Sequence, residues 1–455
     1  MNKKILLGLV AMGGLILTAC SDESNSLVAL SDSSVAQVSL TGEEATALKV
    51  RLEGAAVSAD EAKQRAGNLL SGGQATRSAD FENAECEVYW VKYQSRLPQL
   101  FSADSKPDSI PLYVVNYNGG GGAIISGDER LPEVLAYSED GEMTLEKNGS
   151  GLDVFIDNLP AFVSYKIDEF EAHYDSLLQV AEEKTGISTM AVPLQRIEHE
   201  LTDWQVMYKK EPMVNVFWYQ YDGYNEKFPP VGSGEEYLPH AYVGCVPIAI
   251  AHIMSYHKYP SVIDNYTIDW TSITSSPTIN GLSNIYQEQL QNLLYKITSN
   301  CSPHYTYEGT GVSMGNGLYF LISNGYTTEG VQRYKKEDVI NSINNNRPVC
   351  VSGYPDENKD GHAWVVDGAD GKQRILTERI YEYIGKNERP ADPINPSEWK
   401  LISETTSSEK EELIHCNWGW RETRYNGYYY HEAFHLSNGV NYDYDLETIA
   451  NARPR

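Results

Sequence analysis

The chain has 455 residues, enough for two or three domains that each bury a core of their own. Its 63 acidic residues outweigh 36 basic ones, for a formal charge of −27, and no Lys/Arg-rich tract follows the first residues, which argues against nucleic-acid binding. Tyrosine is abundant, at 32, and with the Gly and Asn content this is the composition of a β-rich, extracytoplasmic protein.

At the N-terminus, Lys3-Lys4, an apolar run over 5–17 and then Leu17-Thr18-Ala19-Cys20 resemble a bacterial lipoprotein signal peptide with its lipobox. The run is shorter than the ~20 residues that a membrane span needs. Residues 1–19 are therefore expected to be removed, leaving Cys20 as the acylated first residue, held to a membrane by lipid rather than by a helix. Ser21-Asp22-Glu23 is similar to the acidic export signals of surface lipoproteins. The expected location is the bacterial cell envelope, on the outer membrane or cell surface, with release of the mature protein left open.

Residues 20–45 are Ser-, Ala- and acid-rich and read as a tether. Ser58-Ala59-Asp60-Glu61 is a capping-box start for a helix through Ala62, Ala66 and Leu69-Leu70. Strands are expected over 87–93, 110–117, 122–126 and 134–138, separated by Gly, Asp and Pro turns. Gly119-Gly120-Gly121-Gly122 is not a phosphate loop, because no Lys-Ser/Thr follows and the glycines join two strands as a hairpin would. The spacing predicts a helix over 161–184, with Ile167, Phe170, Tyr174, Leu177 and Leu178 on one face. The first domain thus spans 46–184, a connector 185–210, and a second domain 211–455. In that second domain, helices over 282–297 and 338–344 precede strands over 349–353, 363–367, 413–418 and 427–431, an α+β arrangement.

The second domain is organised around Tyr242-Val243-Gly244-Cys245-Val246-Pro247-Ile248-Ala249-Ile250-Ala251-His252-Ile253-Met254. A glycine permits a sharp turn, and the apolar run after it reads as a buried helix, with Pro247 tolerated in its first turn. Cys245 would sit at the helix N-terminus, where the macrodipole and free N–H groups favour a thiolate. The competing reading is a buried core cysteine. Cys86, Cys301, Cys350 and Cys416 are scattered without CxxC or Cys/His spacing, so no zinc site is indicated, and the sequence leaves their disulfide pairing open.

A cysteine nucleophile needs a base, an orienting partner for that base, and donors for the developing oxyanion. His362 opens an apolar strand in Gly361-His362-Ala363-Trp364-Val365-Val366-Asp367-Gly368, where a side chain can face a cleft. In His415-Cys416-Asn417-Trp418-Gly419-Trp420, strand alternation lets only one of Asn417 and Trp418 face that histidine. An Asn would hydrogen-bond the ring; a Trp would wall it off from water. Gln220, 25 residues before Cys245, has an amide suited to an oxyanion.

Taken in order, Gln220, Gly244-Cys245-Val246, Gly361-His362-Ala363 and Asn417-Trp418-Gly419-Trp420 resemble the streptopain family of papain-fold cysteine peptidases. The run from Cys245 to Ile253-Met254-Ser255-Tyr256-His257-Lys258-Tyr259-Pro260 is similar to that family's nucleophile helix and its exit. Gly122-Ala123-Ile124-Ile125-Ser126, Arg130-Leu131-Pro132 and Val134-Leu135-Ala136-Tyr137-Ser138 resemble its inhibitory prodomain. The pattern departs at Gly223, at a usual proline; at Pro247; at His252, where the family usually has Gln; and at Arg421-Glu422. An insert of about forty residues, 372–412, replaces a tight connection beside the cleft and is placed to gate substrate entry.

The resemblance implies a zymogen of a cysteine endopeptidase, with Cys245 as nucleophile, His362 as base, Gln220 as oxyanion donor and Asn417 or Trp418 steadying the imidazole. It needs no metal or cofactor. Its partners would be protein or peptide substrates and its own prodomain as an intramolecular inhibitor. Two rivals are a surface-binding protein on a decayed peptidase scaffold and a Cys/His amidase acting on cell-wall peptides.

Overall fold

The computed structural model describes residues 37–71, 84–93, 109–118, 120–149, 151–187, 195–354, 361–385, 396–420, 425–434 and 446–455. The expected signal peptide and Cys20 lie outside them. Strand β1 (Gln37–Ser39) and helix α1 (Gly42–Glu53) come first, so regular structure already begins inside the stretch expected to be a tether through residue 45. A capping box explains it: the Thr41 hydroxyl accepts from the Glu44 N–H at 3.2 Å, and the Glu44 carboxylate accepts from the Thr41 N–H at 2.9 Å. Helix α2 (Ala59–Ser71) starts at the second such signal, where the Ser58 hydroxyl accepts from the Glu61 N–H.

Strands β2 (Glu85–Lys92), β3 (Ser109–Asn116), β4 (Gly122–Ser126) and β5 (Val134–Ser138) fall close to their expected places. The run of glycines joins β3 to β4, with the Tyr117 N–H bonded to the Gly121 carbonyl. Helix α3 (Leu152–Thr185) starts earlier than its periodicity suggests and holds Pro160 in its interior. A proline there removes one backbone bond, but Phe155, Leu159, Phe162 and Val163 are all buried around it and keep both flanks helical.

The connector forms two strands set end to end, β6 (Gln195–Leu201) and β7 (Gln205–Lys210). Then come α4 (Cys245–His257), α5 (Asn284–Ser299), α6 (Met314–Ser323), β8 (Val331–Arg333), α7 (Lys336–Asn344), β9 (Val349–Gly353), β10 (His362–Tyr383), β11 (Trp399–Asn417), β12 (Gly427–Tyr430) and β13 (Glu447–Ile449). One sheet crosses both halves of the chain in the order β8-β13-β9-β10-β11-β12-β5-β4-β3-β2. The two halves meet where β12 pairs β5, Tyr428 opposite Tyr137 and Tyr429 opposite Ala136.

Strands β10 and β11 run far past their expected ends, so the 372–412 insert is largely the outer part of a two-stranded arm. Its Glu- and Lys-rich composition disguised strands whose charges pair with neighbours, Arg374 with Glu409 and Glu133, Arg379 with Glu404 and Glu200. Both connector strands add to the free edge of β10, β6 from Leu376 to Glu382 and β7 from Ala369 to Gln373. Strand β1 pairs β11 in parallel. Ile380 of the arm is buried with Leu48 of α1, Ala181 of α3 and Ile197 of β6 in a small core of its own.

Alternation along β10 sorts the main cores. Ala363 and Val365 face the core built on α4 and α5, whereas Trp364 and Val366 face one shared with α3 of the first domain. Helix α4 is buried from Val246 through Ser255, on every face. Truncating Ile250, fully buried at its centre, would cost about 2–5 kcal/mol.

Candidate active site

Cys245 is the first residue of α4, and the turn before it is tightly held. The Val243 N–H donates to the Gln220 carbonyl at 3.0 Å, and the Thr298 hydroxyl donates to the Val243 carbonyl at 3.0 Å. Gly244 has φ +97°, and a β-carbon on it would stand 3.0 Å from the Thr310 carbonyl oxygen, so only glycine fits. The position of Cys245 therefore depends on a residue without a side chain.

His362 opens β10 opposite Gly353 and reaches the Cys245 thiol. Its Nε2 lies 3.2 Å from the Trp418 main-chain oxygen. A carbonyl can only accept, so Nε2 carries a proton and Nδ1 is left for the sulfur. Burial pushes the Cys245 thiol up, but the hydrogen bond and charge of His362, with the Ala363 and Val246 N–H groups, bring it below an ordinary thiol. Burial likewise disfavours charge on His362, and the hydrogen bond and charge of Cys245, then the Trp418 carbonyl, raise it above an ordinary imidazole. Opposite shifts of two touching groups are the electrostatics of a thiolate–imidazolium pair. The other described cysteines, Cys86, Cys301, Cys350 and Cys416, are free thiols pushed the other way by burial.

Trp418 thus touches the imidazole through its main-chain oxygen, a role that no side-chain pattern could have revealed. Its indole packs among Trp364, Tyr429 and Phe434. Asn417 turns its amide elsewhere: Nδ2 donates to the Val216 carbonyl at 3.2 Å, and Oδ1 accepts from the Gly419 N–H at 3.2 Å. Trp420 stands edge-on to His362 with ring centroids 6.0 Å apart, and edge-on to Tyr221 at 5.9 Å. Gln220 is buried, and its carbonyl is the acceptor that ties it to Val243, two residues before Cys245.

The first domain covers this cleft. A β-carbon on Gly151 would meet the Trp418 ring at 2.6 Å and the His362 ring at 2.9 Å; one on Gly149 would meet Trp420 at 3.5 Å. Asp153 holds the loop's shape by accepting from the N–H groups of Asn148 and Gly149, and its charge also raises His362. Behind the site, Tyr137 of β5 donates its phenol to buried Asp370, whose other neighbour is the Lys372 ammonium at 3.0 Å.

No group of His, Cys, Asp and Glu that could hold a metal ion occurs among the described residues.

The Peptidase C10 family profile matches residues 218–429, and the Spi protease inhibitor profile matches residues 54–161. Streptopain from Streptococcus pyogenes is 25% identical over 326 residues, 63% of this chain and 75% of its own length. A solved fragment of prointerpain A from Prevotella intermedia aligns over 81% of this chain and 98% of its own, with 17% identity and a TM-score of 0.46. The active interpain A cysteine protease of that organism aligns over 54% of this chain and 95% of its own, with 18% identity and a TM-score of 0.34. A peptidase family profile thus lies over the Cys245–His362 cleft and a protease-inhibitor profile over the domain that covers it, which supports a streptopain-like cysteine peptidase with an inhibitory prodomain.

Proposed function

We propose that this chain is a lipoprotein zymogen whose mature part hydrolyses peptide bonds of proteins through Cys245 and His362. The observation that carries the reading is the contact between those two side chains, with the thiol pulled down and the imidazole raised. The Cys245 sulfur attacks the carbonyl carbon of the scissile bond, and the carbonyl electrons move onto oxygen. The Cys245 N–H and the Gln220 amide receive that oxyanion. His362 gives its Nδ1 proton to the departing amine as the C–N bond breaks, leaving a thioester. Water, losing a proton to Nδ1, attacks the thioester, and the acid departs as the thiolate re-forms. The Trp418 carbonyl holds the ring in register throughout.

In the zymogen, Gly149 and Gly151 occupy the cleft where a substrate backbone would pass, and their lack of side chains is what lets the loop lie against His362 and Trp420. Lipid on Cys20 would place the protein on the outer membrane or cell surface, and cleavage in the connector would let the enzyme leave.

Casein hydrolysis by enzyme matured from the full chain tests the reading. Hydrolysis should vanish on alkylation and in Cys245→Ala, and that variant should stop processing its own connector. Persistent processing by purified Cys245→Ala would sink it. A matured protein that binds surfaces but cuts nothing would favour the decayed scaffold, and release of wall fragments without proteolysis would favour an amidase. Cys20→Ser should move the protein from the detergent phase to the aqueous phase on Triton X-114 partition.

A further inference from the structure

Residues 213–220 lead to the oxyanion glutamine and lie outside every strand of the sheet. The main chain supplies some partners, the Met213 N–H donating to the Asp367 carbonyl at 3.1 Å and the Phe217 N–H to the Pro277 carbonyl at 2.8 Å, and side chains supply three more along one edge. The Val214 N–H donates to the Asp367 carboxylate at 2.8 Å, and the Val216 carbonyl accepts from the Asn417 amide at 3.2 Å. The Trp218 N–H donates to His252 Nε2 at 3.2 Å, and the Gln220 carbonyl accepts from the Val243 N–H at 3.0 Å. Contacts on every second residue are the spacing of an extended chain, whose alternate backbone groups point the same way. The rung closest to Gln220 made by a side chain is His252.

His252 is fully buried two turns into α4, the helix that carries Cys245. A backbone N–H can only donate, so Nε2 must be bare and the ring neutral, with its proton on Nδ1. Burial agrees, bringing this imidazole down to about 4. Nδ1 is itself buried without a partner. A polar side chain kept in an apolar helix, with one of its nitrogens unsatisfied, is costly for packing alone. What it gains is a fixed distance between the nucleophile's helix and the segment bearing Gln220.

We infer that His252 is a positioning residue for the oxyanion hole, setting Gln220 against Cys245 by holding the Trp218 N–H. The inference rests on the peptidase reading above. The two amide substitutions separate it from a packing role. His252→Gln places an acceptor where Nε2 stands, whereas His252→Asn reproduces Nδ1 and leaves the Trp218 N–H unpaired. Both keep a buried amide.

The experiment measures peptide hydrolysis and iodoacetamide alkylation of Cys245 in enzyme matured from the full chain, with native enzyme added to process any variant that does not mature itself. Alkylation needs the thiolate and no oxyanion hole. Losing an oxyanion donor outright costs about 100- to 1000-fold in kcat, and a displaced donor should cost about tenfold or more. The expected result is His252→Asn with kcat down at least that far, KM little changed, alkylation native, and His252→Gln near native in all three. In a Gln220→Ala background, His252→Asn should have no further effect on kcat. Equal kcat for the two His252 variants overturns the inference, as does a parallel fall in alkylation, failure of His252→Asn to fold while His252→Gln folds but is equally inactive, or full additivity with Gln220→Ala. A native enzyme that hydrolyses nothing would instead remove the peptidase reading, and this inference with it.

Discussion

Gly151 of the prodomain stands against His362 so closely that a β-carbon there would come within 2.9 Å of the imidazole Cδ2. The prodomain loop is fitted to the His362 ring by the absence of atoms. Overpacking such a contact costs about 1–3 kcal/mol. Gly151→Val should therefore loosen the prodomain over the cleft and make Cys245 of the intact chain alkylate faster than in the native zymogen. The enzyme released from that variant should keep native kcat/KM, since residue 151 leaves with the prodomain. An unchanged alkylation rate in the intact variant would count against the loop as the plug.

Tyr137→Phe removes the phenol that donates to Asp370 and leaves that buried carboxylate with Lys372. A buried acceptor that loses its donor costs about 1–3 kcal/mol. The cost belongs to the zymogen alone, because Tyr137 lies in the prodomain. Thermal unfolding of the Cys245→Ala zymogen should shift down with the added Tyr137→Phe change. The processed enzyme should be unaffected.

The shifts of Cys245 and His362 predict the pH course of alkylation. Cys245 should react with iodoacetamide below the pH at which an ordinary thiol, ionising at about 8.5, falls silent. His362→Ala should move that limb upward, because the hydrogen bond and the charge that hold the thiolate are gone. A limb that stays in place in His362→Ala would remove the ion pair from the account.

Much of this site is legible in local chemistry, and its supports are not. Gly244-Cys245 ahead of a largely apolar run announces a thiol at a buried helix start, and that is where the residue stands. His362 was singled out by a glycine and a strand, yet its orienting contact is a main-chain oxygen, which every residue type carries equally. His252 stands out in sequence as a polar residue among aliphatic neighbours and as a departure from the family pattern, but its role depends on a segment 34 positions away. The arm was hidden for a different reason. Strands whose charges are met by partners from the prodomain and connector look, one chain at a time, like a solvated insert. Its partners come from distant sequence, so only tertiary structure reveals that Ile380 and Ile197 share a core.

The prodomain should hold less firmly in alkaline solution. Glu411 of the arm is buried beside Glu133 of the prodomain; burial and then that neighbour's charge push it up to about 8 from 4.5. The native chain therefore keeps a proton that the unfolded chain has released, and stability falls as pH rises through that window. His199 of the connector works in the same sense. Burial opposes its charge, but bonds to Glu378 and Glu53 raise it to about 9 from 6.5. Its contribution is complete below the lower value and lost as pH climbs through the higher. Melting temperatures of the Cys245→Ala zymogen should decline from pH 5 to pH 9, and Glu411→Gln should flatten the decline. Its amide oxygen can accept from the Glu133 and Val134 N–H groups as Glu411 does, and its amino group can donate to the Glu133 carboxylate. A profile unchanged by Glu411→Gln would rule out this carboxyl as the source.

Strands β6 and β7 are hydrogen-bonded end to end along the free edge of β10, and β1 is laid against β11 on the far side of the arm. A protease that nicks the short link 202–204 between β6 and β7 would sever the covalent link and leave both fragments in register on the same sheet. Cutting and opening then become separate events with separate clocks. The nicked molecule would remain silent until a strand unzips from the arm, and the lag between the two would lengthen with every rung of that edge.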